Sequence, residues 1–184
     1  MLVLLTGGAR SGKSRIAAQL AVRRERPVVV VVTAEAGDEE MAERIRRHRA
    51  ERPLEWTTVE EPLALEDAIE RAPAGAVVVV DCLSLWVANL LGRELPDDEV
   101  VARSSRAAEL AARRTGDTIA VTNEVGAGVV PEYPLGRRYR DVLGLVNAAW
   151  AAAAEQAALV VAGRLVPLRE VDDVFKEDSR WTTS

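Results

Sequence analysis

The sequence predicts an α/β domain built around a central, mostly parallel sheet. Three observations carry this. Short β-branched runs recur along the chain, and longer helical patterns separate them. The runs are also continuously apolar rather than alternating, as parallel strands covered on both faces are. With 184 residues, the chain suits a single domain with a sizeable core. Its 48% apolar and 29% charged content is that of an ordinary globular protein.

Taken in order, the first strand is Leu2–Thr6, followed through a Gly-rich turn by a helix over Lys13–Arg24. Val28–Thr33 is the second strand. A helix over Asp38–Glu51 follows, its start favoured by Asp38, Glu39 and Glu40 and its end set by Pro53. A helix over Leu63–Arg71 leads to a third strand, Val77–Asp81. Leu91–Asp98, with Gly92, Pro96, Asp97 and Asp98, reads as a surface loop. Beyond it lie a helix over Glu99–Thr115, a strand over Thr118–Thr122, a long Ala-rich helix over Gly136–Ala158 and a strand over Leu159–Ala162. The catalytic domain is expected over residues 1–168, with 169–184 a polar tail.

The turn after the first strand carries the first chemistry. Gly7-Gly8-Ala9-Arg10-Ser11-Gly12-Lys13-Ser14 has the Gly-x-x-x-x-Gly-Lys-Ser spacing of a phosphate loop. Gly7 and Gly12 permit the backbone angles that turn successive N–H groups toward one point, and the next helix aims its positive end there. Lys13 reaches the β- and γ-phosphates, and the Ser14 hydroxyl ligates Mg²⁺. The fold expected is therefore three-layered and P-loop NTPase-like. Asp81 ends the run Val77–Val80, at the sheet edge where open α/β sheets bind ligands. It either completes the Mg²⁺ site with Ser14 or caps a helix starting near Leu83.

His48 is the only histidine, in a basic helix with Arg44 and Arg52 four residues to either side. One alternative is an incidental histidine on a solvated face. The other is a nucleophile: the arginines disfavour imidazolium, and a neutral imidazole is what attack on phosphorus requires. After the fourth strand, Asn123 and Glu124 precede Gly126 and Gly128 at the same sheet edge. They either touch substrate or close a turn. Arg137, Arg138 and Arg140 form a solvated face or an anion site.

Taken together, the loop Thr6–Ser14, Arg44-Ile45 with His48-Arg49 and Arg52-Pro53, Asn123-Glu124-Val125-Gly126 with Gly128 and Val130-Pro131, and Arg140-Asp141 with Val146-Asn147 resemble one family. It is the bifunctional cobinamide kinase / cobinamide-phosphate guanylyltransferase family of cobalamin biosynthesis, and the match runs to about Leu168. The resemblance implies two reactions. Adenosylcobinamide takes the γ-phosphate of ATP or GTP; then a histidine, here His48, carries GMP from GTP to adenosylcobinamide phosphate. It also implies nucleotide contacts at Thr33, Ala34, Arg49, Ala50, Glu51, Arg52, Glu60 and Asp81, and a homo-oligomer, typically a trimer.

Composition sets the remaining bounds. A net charge of -5 gives the chain as a whole no attraction for nucleic acid or anionic membranes. Cys82 is the only cysteine, which excludes an intramolecular disulfide and a structural Cys-based zinc site. Met1–Leu5 lacks the length and basic flank of a signal peptide, and Glu155 and Gln156 interrupt the Ala-rich stretch, so no membrane span is expected. The expected setting is cytoplasmic. Two rival functions share the phosphate loop: a plain small-molecule kinase with His48 as bystander, and a GTP-binding switch. The absence of an Asn-Lys-x-Asp sequence weakens the switch.

Overall fold

The apolar runs form the centre of a seven-stranded sheet ordered β3-β2-β4-β5-β1-β6-β7. The computed structural model describes residues 1–37, 39–50 and 52–172; the side chains of Glu40, Met41, Arg44, Ile45, Arg47 and His48 lie outside that description. Strands are β1 Leu2–Thr6, β2 Val28–Val32, β3 Thr57–Glu60, β4 Val77–Asp81, β5 Thr118–Val121, β6 Gln156–Val161 and β7 Arg164–Leu168. Helices are α1 Lys13–Val22, α2 Glu39–Ala50, α3 Leu65–Arg71, α4 Leu83–Gly92, α5 Asp97–Arg113 and α6 Pro134–Ala153. All pairings are parallel except β6 with β7.

Each central strand feeds two cores, because alternate side chains leave opposite faces of a strand. Leu2, Leu4, Val29, Val31, Val78, Val80 and Ala120 pack beneath Trp86 of α4 and Trp150 of α6. Val3, Leu5, Val28, Val30, Val32, Val77, Val79, Ile119 and Val121 pack against Ile16, Ala17 and Ala21 of α1. The result is the three-layer, P-loop NTPase-like α/β fold. Parallel strands begin and end on common edges, so β1, β2, β4 and β5 all deliver their C-terminal exits to one side.

Several boundaries differ from those expected. α6 ends at Ala153 rather than Ala158, and β6 begins at Gln156 rather than Leu159. The run Ala151-Ala154 has no stop signal, but pairing of β6 with β1 (Val3 with Gln156, Leu4 with Ala157) claims that backbone for the sheet. Leu91–Asp98 is not one loop; only residues 93–96 separate α4 from α5, whose first turn holds Asp97, Asp98 and Glu99. α4 itself buries Leu83, Ser84, Trp86, Val87, Leu90 and Leu91, too wide an apolar surface to give a one-sided helical pattern. The edge strands β3 and β7 are additions; β7 contains Pro167, which a strand tolerates at an edge. Asp38, Glu51 and residues 173–184 of the expected tail lie outside the described residues.

Candidate active site

Where β1 ends, the chain turns through two glycines with positive φ, Gly7 at 150° and Gly12 at 101°. Gly7 has a second constraint: a Cβ there would fall on the carbonyl oxygen of Val160 in β6. The loop is braced from the same side by the Gly163 N–H, which donates to the Ser11 carbonyl at 2.8 Å. Ala9 and Arg10 form its exposed crest. α1 starts at Lys13, so the amides of its first turn lie at the loop. Lys13 is only 7% exposed. Its ammonium donates to the carbonyls of Gly7 at 2.8 Å and Gly8 at 2.6 Å and lies 3.4 Å from Ser11 Oγ.

Asp81 ends β4 beside this loop. Ser14 Oγ donates to its Oδ1 at 3.4 Å, and Arg52 Nη2 meets its Oδ2 at 3.3 Å. A helix does start at Leu83, and the residue at its N-cap position is Cys82 rather than Asp81. Arg52 follows α2 by two residues and is 14% exposed, against 17% for Asp81. The arginine therefore ties the end of α2 to the phosphate loop. The backbone of His48 lies in the last turn of α2, two residues before the helix ends at Ala50.

Thr33, expected to touch nucleotide, is fully buried directly after β2. Its hydroxyl donates to the Cys82 carbonyl at 2.7 Å and accepts from the Cys82 N–H at 3.0 Å, while its own N–H reaches the Asp81 carbonyl at 3.2 Å. Asn89 of α4 holds the Thr33 carbonyl at 2.7 Å. Thr33 thus serves the site by fixing the exit of β4 and with it Asp81. Sequence reasoning missed Asn89, an isolated polar residue in an apolar helix.

A family model described as cobinamide kinase / cobinamide phosphate guanyltransferase matches residues 3–168. The chain belongs to that family. It is 46% identical over 169 residues to the bifunctional adenosylcobalamin biosynthesis protein CobP of Pseudomonas aeruginosa, covering 90% of this chain and 96% of that one. It is 40% identical over 176 residues to CobU of Escherichia coli, covering 89% and 97%. A solved structure from Pyrococcus horikoshii OT3 shares the fold alone, with a TM-score of 0.55 at 10% identity over 94% of this chain and 88% of that one. The chain is accordingly an enzyme, a bifunctional cobinamide kinase and guanylyltransferase of adenosylcobalamin biosynthesis.

In this cobinamide kinase / guanyltransferase the other expected residues fall as follows. Arg49 and Glu60 pair with each other at 3.6 Å on the surface, an interaction of small worth. Ala34 is half-buried against the α1-side core and Ala50 is exposed; Glu51 lies outside the described residues. The Glu124 carboxylate accepts from the Gly126 N–H, which closes a turn, while the Glu124 N–H donates to the Gly7 carbonyl at 3.0 Å. The arginine cluster braces the protein itself: Arg137 holds the Pro131 and Glu132 carbonyls, Arg138 holds Asp97 and the Leu95 carbonyl, and Arg140 holds Asp141. Trp86 and Trp150 are fully buried in the core. No helix among the described residues is long and apolar enough to cross a membrane.

Behind Asp81 lies a cluster that the sequence did not signal. Burial and the Asp81 charge push the Cys82 thiol up, and its Sγ lies 3.0 Å from Ser84 Oγ. Tyr139 of α6 donates to the Ser84 carbonyl at 3.2 Å, and burial raises its hydroxyl from 10.0 to about 12. A raised folded-state value means that its contribution is fully present below the unfolded value and is lost as pH rises toward the folded one. Stability is therefore expected to fall between about pH 10 and 12, and Tyr139→Phe to flatten that fall. Denaturant midpoints of both proteins across this range check it; parallel losses would exclude Tyr139 as the cause.

Proposed function

We propose that the enzyme transfers the γ-phosphate of ATP or GTP to a hydroxyl of adenosylcobinamide, and then moves GMP from GTP to the resulting phosphate through His48. The observation that carries this reading is the convergence of Ser14, Asp81 and Arg52, which joins the phosphate loop to the end of the helix bearing His48. In the first reaction Lys13 draws charge from the transferred phosphoryl group while the loop amides hold its neighbours. In the second, an imidazole nitrogen of His48 attacks the α-phosphorus and the bond to pyrophosphate breaks. An oxygen of cobinamide phosphate then attacks the same phosphorus, the N–P bond breaks, and His48 is restored.

Ser14 and Asp81 supply two hard oxygen donors 3.4 Å apart, the ligand type Mg²⁺ prefers alongside phosphate and water. Bound there, the ion would neutralise phosphate charge. A single nucleotide pose does not serve both reactions, since the acceptor must face the γ-phosphate in one and His48 the α-phosphate in the other. Either α2 moves or GTP binds in two registers. We also infer a catalytic unit over residues 1–168 with a polar tail, a cytoplasmic setting, no nucleic-acid partner and a homo-oligomer, a trimer by family resemblance; light scattering tests the last.

GTP labelled at the α-phosphate decides the main point. Wild-type protein is expected to retain acid-labile, base-stable label, and His48→Ala to retain none. Transfer of γ-label alone would indicate a plain kinase. Hydrolysis without dependence on an acceptor would indicate a switch protein.

A further inference from the structure

Asn147 sits in α6 and takes no part in the chemistry above. Its amide is engaged at both ends by the exit of β5. Oδ1 accepts from Thr122 Oγ1 at 2.6 Å, and Nδ2 donates to the Asn123 carbonyl at 3.0 Å. Thr122 is fully buried, and its N–H is anchored to the Leu5 carbonyl of β1 at 3.0 Å. On the other side of the same Asn123-Glu124 peptide, the Glu124 N–H donates to the Gly7 carbonyl at 3.0 Å. That carbonyl also accepts from Lys13 Nζ at 2.8 Å. A carbonyl oxygen has two lone pairs, so these two donors fill it between them. An unbroken run of hydrogen bonds leads from the middle of α6 to the ammonium of the phosphate loop.

We propose that Asn147 is a positioning residue for phosphoryl transfer. It holds the Asn123-Glu124 peptide so that the Gly7 carbonyl keeps Lys13 Nζ in place. The inference rests on the phosphate loop being the nucleotide site. An amide offers an acceptor to Thr122 and a donor to Asn123 together, which an ionised carboxylate of the same size does not. Asn147→Asp keeps the shape and the acceptor but sets an oxygen against the Asn123 carbonyl. Asn147→Leu removes both bonds. A control lies elsewhere on the same helix: Trp150 Nε1 donates to Ser104 Oγ of α5 at 3.1 Å, away from the loop.

The test is steady-state phosphoryl transfer from GTP to adenosylcobinamide, with GTP binding measured separately. Both Asn147 variants are expected to lose kcat by about tenfold or more while KM for GTP stays within about threefold, because a misplaced Lys13 loses most in the transition state. Ser104→Ala is expected to lose stability with kinetics unchanged. Wild-type kcat in Asn147→Asp, or a loss confined to KM, overturns the proposal. So does failure of both variants to fold, which would make Asn147 structural only. Should the leucine variant alone fail to fold, the aspartate variant decides. If wild-type protein binds no GTP, the reading of the loop falls and this inference with it. If wild type binds and turns over GTP and Asn147→Asp matches it, only this inference falls.

Discussion

Lys13→Ala is expected to lower kcat for phosphoryl transfer by about 10³-fold, with a smaller loss of nucleotide affinity. The residue starts α1 and is nearly buried, with its ammonium held by the Gly7 and Gly8 carbonyls. A cation so placed needs no reorganisation when charge develops on a transferring phosphoryl group, which is where preorganised charge acts most strongly. Lys13→Arg is not expected to restore activity, since a planar guanidinium fork does not reproduce a compact ammonium between two carbonyls. Single-turnover transfer of γ-label from GTP measures the effect. A rate within about threefold of wild type would remove Lys13 from the transition state.

The second large effect is expected at Gly7. Alanine there has two independent penalties: φ of 150°, which L side chains rarely adopt, and a Cβ placed on the Val160 carbonyl oxygen of the adjoining strand. Backbone strain of this kind costs about 1–3 kcal/mol, and forced displacement of packed neighbours about as much again. Gly7→Ala should therefore be destabilised by about 3 kcal/mol or more and bind nucleotide poorly even where folded. Gly8 is the contrast. A Cβ there meets nothing within 4 Å, so Gly8→Ala should keep its stability to within about 1 kcal/mol. Urea unfolding of the two variants side by side checks the pair, and equal midpoints would refute the steric argument.

The buried centre of this fold was legible because four parallel strands lie between two helical layers and must be apolar along their whole length. The edges were not. Thr57–Glu60 and Arg164–Leu168 are largely exposed; the first is mostly polar, and Pro167 interrupts the apolar run of the second. Spacing revealed the phosphate loop, and Asp81 was legible because a carboxylate ends an otherwise apolar strand. The parts that hold these groups were hidden. Thr33, Asn89 and Asn147 are single polar residues in segments distant along the chain, and their partners are backbone groups that only the folded topology brings near.

One feature of the topology bears on how the site withstands stress. β1 lies between β5 and β6, is buried along its length and leads directly into the phosphate loop. Amides of such a strand exchange with deuterated solvent only when the whole domain opens. The anion cradle thus has no private melting transition: heat or urea should abolish nucleotide binding and protection of Val3–Leu5 at the same midpoint.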